Sequence, residues 1–318
     1  MKSRAIIEIP TQRKPAAMNR RSRLATAALA AVLGTLGHGA LAYTAAGDRL
    51  FPATILLPQI APSDDAYLTT STQPLRSETI PGSTDRLTNV SGTFNKTITE
   101  RFSIGVEDGW NRLDRAGASS ANGWQNFETS AKYLAVHDDT HELLISLGVD
   151  REWGGTGAAG IGASAKGATT PAFFLGKGMG DLGIDVLKPF AVAATVGYQL
   201  ADAAPRPDLL LAGLTIEYSI PYFESKVRPL ALPDFVRAMT PMVEFFVTTP
   251  ASATRGSVTT VTIAPGINYA AEGWELGVEA LVPATRSAGR GVGVIAQLHF
   301  ALDYLFPESI GKPIFSRH

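Results

Sequence analysis

Several segments of this sequence alternate between apolar and polar residues, and we call each set of every second residue a parity. Ionisable side chains recur on one parity, and most of them are carboxylates. Carboxylates gathered on one surface bind cations or hydrogen-bonding solutes, and a histidine among them can exchange protons. In apolar surroundings such groups are costly unless they are hydrated or paired. The candidate lining of one polar wall comprises Arg101, Glu107, Glu128, Lys132, Asp150, Glu152, Glu217, Glu244, Glu275, Glu279, His299 and Asp303.

His299 is the candidate that comes nearest to catalytic chemistry. Nucleophilic hydrolysis needs a serine beside a base that an acid orients, and Asp303 lies four residues beyond His299 on the same parity. No Gly-x-Ser-x-Gly motif occurs, and the stretch 162–166 (GASAK) departs from it. We therefore predict that the protein is not an enzyme. A hydrolase that uses His299 is the least favoured alternative.

Metal, phosphate and thiol chemistry find little support in the sequence. His137 and His141 flank an acidic turn, but solvated turn residues are far more common than metal ligands. The stretch 176–180 (GKGMG) lacks the spacing of a phosphate-binding loop. The chain has no cysteine, which excludes disulfides, thiolate zinc sites and cysteine nucleophiles. The sequence predicts no metal and no cofactor.

The segment 290–306 shows which kind of element positions these side chains. Its apolar parity is uninterrupted, whereas the other parity carries Gln297, His299 and Asp303. A period of two predicts a β-strand, because successive side chains point to opposite faces. An apolar face this long suits a transmembrane strand, which needs roughly 9–11 residues to cross the bilayer. The apolar parity comprises Val292, Val294, Ala296, Leu298, Phe300, Leu302, Tyr304 and Phe306.

Similar alternation over most of the chain predicts an all-β fold. We expect a membrane-spanning antiparallel up-and-down barrel of about twelve strands, with ten as the fallback. A soluble β-sandwich is the alternative, but aromatics near strand ends and strands longer than the usual 5–6 residues favour the barrel. The predicted strands are 66–74, 85–97, 101–113, 124–136, 143–153, one near 171–182, 187–200, 209–222, 242–249, 257–270, 273–283 and 290–306.

The N-terminus has the features of a signal peptide over residues 1–42. Three arginines at 20–23 precede an uncharged run, and Ala40-Leu41-Ala42 is a cleavage site of the A-x-A type. Met18 is a possible true start, and an uncleaved anchor is the alternative. We expect export to the outer membrane of a Gram-negative envelope. The remaining boundaries are a periplasmic lead at 43–63, the barrel at 64–306 and a C-terminal extension at 307–318.

The charge of the exported chain limits its partners. Residues 1–42 hold seven of the 28 basic and one of the 29 acidic residues, so the remainder carries a net charge of −7. Binding to nucleic acid needs basic clusters, so we expect no nucleic-acid partner. The expected partners are outer-membrane lipid and a small-molecule solute, and the oligomeric state stays open.

A stretch beside the predicted strand at 171–182 carries a family resemblance. Residues 173–182 (FFLGKGMGDL) contain a Gly-x-Gly-Asp-Leu sequence that resembles the outer-membrane family called "MetA-pathway of phenol degradation". The similarity extends loosely over residues 85–305. It implies a barrel that takes up hydrophobic or aromatic compounds. The chain departs from that family by ending in the extension 307–318 rather than on a terminal aromatic, although Phe306 or Phe315 could serve as the recognition end.

The function predicted from these features is a passive channel, or transport-like barrel, for small molecules that include hydrophobic or aromatic ones. Solutes would diffuse along the inner face that carries the carboxylates, and loops such as 154–170 would control their access to the lumen. A filled structural or ligand-binding barrel without transport is the alternative. The carboxylates fit both, since they could line a pore or form a structural network of charges that fills a narrow lumen.

Overall fold

The structure of this chain is a computed structural model, and it describes residues 44–77, 80–252 and 258–315. The predicted signal peptide therefore lies outside the described residues. Among the described residues no helix is long and apolar enough to cross a membrane.

The described chain consists almost entirely of strands joined by turns. The strands are β1 Thr44–Ala46, β2 Arg49–Phe51, β3 Asp65–Arg76, β4 Thr84–Thr99, β5 Phe102–Asp114, β6 Ala121–Trp124, β7 Glu128–Asp138, β8 Leu143–Glu152, β9 Ala168–Gly178, β10 Phe190–Ala201, β11 Leu209–Tyr218, β12 Met239–Pro250, β13 Thr260–Ala271, β14 Trp274–Pro283 and β15 Gly293–Ala301. Short helical turns occupy Ala159–Ile161, Gly180–Leu182, Ile220–Tyr222, Phe223–Val227, Asp234–Arg237 and Leu302–Leu305.

Strands β3 to β15 form one closed antiparallel sheet. Apart from β6 and β7, each strand pairs with its neighbours in sequence. Strand β15 pairs with β3, so the sheet closes on itself. Strands β6 and β7 share one position beside β5, because Trp110 pairs with Trp124 of β6 and Phe102 with Tyr133 of β7. The barrel therefore has twelve strand positions, which confirms the prediction of twelve over ten. Strand β9, Ala168–Gly178, is the one predicted near 171–182.

The two faces of the sheet confirm the assignment of apolar residues to the outside. On β15, Ile295 and His299 point inward and are buried, whereas Val294 is 46% exposed. The outward parity of β5 likewise exposes Ile104 and Val106. One closed sheet with an apolar outer face and a polar inner face is the arrangement of a barrel that meets lipid. It differs from a soluble sandwich, which buries its apolar faces between two sheets.

The last strand is shorter than the alternation predicts. It ends at Ala301, and the chain then makes the helical turn Leu302–Leu305. Leu302 is buried, and its N–H donates to the carbonyl of Asp64. Leu305 packs over Gly273, which has a φ of +78° and leaves no room for a Cβ atom. Of the apolar parity beyond residue 301, Leu302 is buried, whereas Tyr304 and Phe306 are exposed in or after the helical turn rather than on a strand.

The end of the barrel that carries the described N-terminal segment also carries the C-terminal extension. The N–H groups of Ile314 and Phe315 donate to the carbonyls of Thr97 and Ile98 at the end of β4. The connections at 179–189 and 219–238 lie at the same end, whereas those at 153–167 and 202–208 lie at the opposite end.

Candidate channel lumen

Residues 52–63, between β2 and β3, lie inside the barrel, and we call them the lumen segment. The carboxylate of Glu244 on β12 accepts hydrogen bonds from the backbone N–H groups of Ile55, Leu56 and Leu57 at 3.1, 2.7 and 2.9 Å. Backbone N–H groups in a buried setting need such partners, and an ionised acceptor strengthens the bonds. Glu244 therefore holds this stretch of the segment to the wall.

A second pair of wall residues holds the start of the lumen segment. The N–H of Ala53 donates to Glu275 at 2.8 Å, and the carbonyl of Ala53 accepts from the side-chain amide of Asn268 at 3.1 Å. Asn268 also donates to Glu275 at 2.7 Å. Both main-chain groups of Ala53 are thus matched by side chains of β13 and β14.

Apolar side chains of the lumen segment fit opposite wall glycines. A Cβ atom on Gly277 would lie 2.3 Å from Ile55, and one on Gly213 would lie 2.6 Å from Leu57. A Cβ atom on Gly176 would lie 2.3 Å from Ile60. Real Cβ contacts are not this short, so glycine at these positions makes room for the segment.

Arg49, in the hairpin before the lumen segment, is fully buried at the end of the barrel. Its guanidinium donates to the carbonyls of Pro189 and Phe190, each at 3.1 Å, and lies 3.6 Å from the carboxylate of Glu142. It also lies over the ring of Tyr222, 4.1 Å from the centroid. Burial and the hydrogen bond to Glu142 raise the pKa of Tyr222 to about 12. The hairpin is thus fastened to the three connections 139–142, 179–189 and 219–238, at the end of the barrel that carries the chain termini.

The lumen segment covers the inner faces of β9 to β14, which we call the covered wall. Glu217, Glu244, Glu275 and Glu279, all predicted to line the lumen, point inward here and are at most 2% exposed. They are carboxylates beneath the segment rather than groups along an open path.

His299, on the neighbouring β15, is also buried. Its Nε2 lies 3.7 Å from Asp65, its Nδ1 lies 3.7 Å from Glu275, and its ring stacks on Tyr67 with centroids 4.5 Å apart. Neither ring nitrogen makes a hydrogen bond within the described part of the chain. A serine nucleophile bonded to His299 is therefore missing from the described residues, and the site offers charge balance between two carboxylates.

The other side of the lumen is open. A cavity of about 370 Å³ lies between the lumen segment and the inner faces of β4, β5, β7 and β8, which we call the open wall. Strands β3 and β15 border it through Thr69 and Gln297. The open wall contributes Asn89, Ser91, Thr93, Asn95, Ser103, Glu107, Glu128, Ser130, Lys132 and Asp150 to its lining.

Carboxylates stand in a row across the open wall. The register places Glu107 directly opposite Glu128, and Glu128 directly opposite Glu152. Like charges at directly opposed positions repel each other. Glu107 accepts from the Thr93 hydroxyl at 3.0 Å, and Lys132 donates to the carbonyl of Gln59 in the lumen segment.

A second cavity, of about 410 Å³, lies at the opposite end of the barrel from the chain termini. Glu128 lines both cavities, so it stands where they meet. Glu152 forms an ion pair with Arg206. Asn126, which interrupts the strand between β6 and β7, donates to Glu152 at 2.7 Å and to the carbonyl of Ser164 at 2.8 Å. The loop at 153–167 is thus tied to the wall beside the mouth.

Two residues predicted to line the lumen do not lie on its wall. Arg101 is exposed in the turn between β4 and β5, and Asp303 lies in the helical turn after β15. Both were assigned by extending an alternating pattern past the end of a strand. Burial, together with the charges of Asp64 and Asp65, raises the pKa of Asp303 to about 6.

His137 and His141 each lie beside a carboxylate of their own turn. His137 lies 2.9 Å from Asp139, and His141 lies 2.7 Å from Asp138. The described residues contain no group of three or more side chains arranged to hold a metal ion.

The sequence analysis did not identify the lumen segment or its partners Arg49 and Asn268. It treated residues 43–63 as a lead outside the barrel. One signal was present: Phe51, Ala53, Ile55 and Leu57 alternate at a period of two and are all buried. A lead exposed to water has no need of such an apolar parity.

Comparison with known proteins supports the architecture. No family model matches the chain, and no curated protein matches it, so the resemblance of residues 173–182 stays a prediction. An outer-membrane channel from Pseudomonas putida F1 is similar in structure, with 11% identity over 79% of this chain and 99% of that one and a TM-score of 0.52.

Two porins also match, at lower scores. The KdgM porin in complex with disordered oligogalacturonate has 13% identity over 74% of this chain and 98% of that one, with a TM-score of 0.44. The NanC porin has 9% identity over 74% and 97%, with a TM-score of 0.46. At such identities similarity bears on the fold alone, and this chain has the fold of an outer-membrane β-barrel.

Proposed function

We propose that this protein is a passive channel of the bacterial outer membrane. Small amphipathic molecules, with a cationic or hydrogen-bonding group and an apolar part such as an aromatic ring, pass along the open wall. The observation that carries the proposal is the cavity of about 370 Å³ beside the lumen segment. Its chemistry is two-sided, because Leu56 and Pro58 of the lumen segment line it opposite the polar open wall.

The charges around the cavity support a preference for cations. Glu107, Glu128 and Asp150 line it, and Lys132 is the cation among its lining residues. A ring of carboxylates in a pore of low dielectric constant attracts cations and repels anions. Glu128 has the most direct influence, since it lines both cavities.

The direction of the barrel in the membrane follows from its two ends. Barrels of this kind have short periplasmic turns and longer extracellular loops. Two connections at the end that carries the chain termini, 100–101 and 272–273, are two-residue turns, and the longer helical connections at 179–189 and 219–238 lie there too. The loop at 153–167 lies at the other end. The second cavity then opens to the outside, and the lumen segment lies towards the periplasm.

Planar-bilayer recording with the full chain tests the proposal. We expect stepwise conductance, and in a KCl gradient a reversal potential that indicates preference for K⁺. Glu128→Gln removes one lumen charge, so the permeability ratio should fall severalfold while the protein keeps its heat-modifiable mobility. Arg101→Gln, in an exposed turn, serves as the control and should leave the ratio unchanged.

A filled barrel without transport is the second candidate, and a specific observation favours it. Glu244 and Glu275 fix the lumen segment through four backbone N–H groups, which would hold it permanently in place. A silent bilayer with folded, heat-modifiable protein would support this candidate and reject the channel.

A further inference from the structure

The outer surface of the barrel carries a group of exposed arginines near the loop end. Arg76 is the last residue of β3, Arg86 is the third residue of β4, and Arg112 is the third from the end of β5. All three are exposed and share the outward parity of Leu68, Val90 and Ile104 on the same strands. Arg290, also exposed, donates to the carbonyl of Ser83 in the adjoining loop.

The register makes three of these arginines successive neighbours. Arg86 is opposite Pro74, so Arg76 lies diagonally from it, and Arg112 is opposite Thr88, so it lies diagonally from Arg86. Diagonal positions on neighbouring strands are about 7–8 Å apart, within the reach of long side chains. The row Arg76–Arg86–Arg112, together with Arg290, is the arginine patch.

The acidic residues near the arginine patch only partly balance it. Asp114 is opposite Arg86 and forms an ion pair with Arg112 at 2.9 Å. Asp85 points inward, is buried and accepts from the N–H of Ala116. Of the described residues, these are the carboxylates on the same stretch of β4 and β5, so the outward surface keeps an excess of positive charge.

The arginine patch lies just beyond the apolar band of the barrel. Trp110 lies two residues before Arg112 on β5 and pairs with Trp124, which is 59% exposed. Tryptophan at this position is typical of the membrane–water interface. The arginines therefore stand at the level of lipid headgroups, and the patch is continuous with the lipid-facing surface.

We propose that the arginine patch binds the phosphate groups of anionic lipid in the outer leaflet. Guanidinium groups bind phosphate through paired hydrogen bonds, and several of them on adjacent strands can share one multiply charged headgroup. An anion there also relieves the repulsion between neighbouring arginines. The proposal rests on the placement in the outer membrane, but it does not depend on conduction through the lumen.

Native mass spectrometry of the full chain in detergent tests this binding. The protein is titrated with lipid A, which carries two phosphates, with phosphatidylcholine and with inorganic phosphate. We expect retention of lipid A and little of phosphatidylcholine. Arg76→Gln/Arg86→Gln should weaken lipid A binding about 25-fold, since each arginine contributes about fivefold. The matched control Arg101→Gln/Arg228→Gln removes two exposed charges at the other end and should bind as the parent does.

Three outcomes would overturn the proposal: equal retention of lipid A and phosphatidylcholine, equal losses in the two double variants, or competition by inorganic phosphate at the concentration of the lipid. Arg76→Lys/Arg86→Lys keeps both charges and should retain most of the binding, which separates a lost contact from a folding defect. A silent bilayer with intact lipid A binding would reject the channel alone, and conduction without lipid selectivity would reject the arginine patch alone.

Discussion

The covered wall and the open wall present carboxylates in opposite ways. On the covered wall, Glu244 and Glu275 are at most 1% exposed and accept backbone N–H groups of the lumen segment. On the open wall, Glu107 and Glu128 face a cavity. The same residue type, on the same parity of the same sheet, thus serves as a structural acceptor on one side and as a solute-facing charge on the other.

The difference shows that a polar parity does not by itself define a pore lining. The deciding factor is whether another part of the chain supplies hydrogen-bond donors. The lumen segment does so for the covered wall, because its extended backbone presents N–H groups there. Its side chains Ile55 and Leu57 also pack against glycines of the covered wall. The carboxylates of the open wall are therefore left to solvent and solute.

The largest expected effect comes from removing the central acceptor of the covered wall. Glu244→Ala leaves three buried N–H groups without their partner, and each such loss costs about 1–3 kcal/mol. Glu244 also repels the buried Glu279, and relief of that repulsion offsets part of the loss. We expect a net loss of about 3 kcal/mol in the free energy of unfolding, with a larger conductance. Urea unfolding in detergent and bilayer recording measure the two.

The open-wall control for that experiment is Glu107→Ala. Its carboxylate accepts one described side-chain bond, from Thr93, so the loss of stability should stay below about 1 kcal/mol. Equal losses in the two variants would remove the distinction between the walls.

The fit of the lumen segment against glycine gives the next largest effect. Gly213→Ala places a methyl group 2.6 Å from Leu57, and overpacking of this kind costs about 1–3 kcal/mol. Gly92→Ala is the control, because its new Cβ atom meets nothing closer than 3.9 Å. Thermal unfolding is measured for Gly213→Ala and for the double variant Gly213→Ala/Leu57→Ala. The second substitution should recover part of the stability that the first one loses. Strictly additive losses would mean that the glycine does not accommodate Leu57.

The smallest expected effect concerns Asp303, a carboxylate that lies outside both walls. Its pKa is raised to about 6 from an ordinary value of 3.8, mainly by burial. At pH 3.5 the carboxyl is mostly protonated in both states. Between about pH 4 and pH 6 it ionises in the unfolded chain before it ionises in the folded protein, so stability falls across that window and stays lower above it. Because the side chain is partly exposed, we expect Asp303→Asn to stabilise the protein by about 1 kcal/mol at pH 7.5.

The same Asp303→Asn substitution should leave stability unchanged at pH 3.5. Midpoints of urea unfolding at the two pH values give the comparison. A stabilisation that is equal at both would show that the substitution acts through packing rather than through charge.

Periodicity predicted the barrel well because a two-residue repeat is a local property of the sequence. The pattern predicted which residues of β15 point outward and that a strand would occur at β9. The predicted number of twelve strands is confirmed. Local patterns could not show where a strand stops against another part of the chain, so Asp303 and Arg101 were placed on the wall. Nor could they show which carboxylates would be covered, since the contact between Glu244 and Leu56 joins residues 188 positions apart.

The central claim is that solutes pass along the open wall, and the absence of cysteine from the chain allows a direct test. Ser130→Cys places a thiol in the cavity lining, and Thr215→Cys places one on the covered wall, where the parent residue is 0% exposed. Each variant is recorded in a bilayer before and after addition of a cationic methanethiosulfonate reagent. The account predicts that modification reduces the current through Ser130→Cys and leaves Thr215→Cys unchanged. A reduced current through Thr215→Cys, with an unchanged current through Ser130→Cys, would contradict the account.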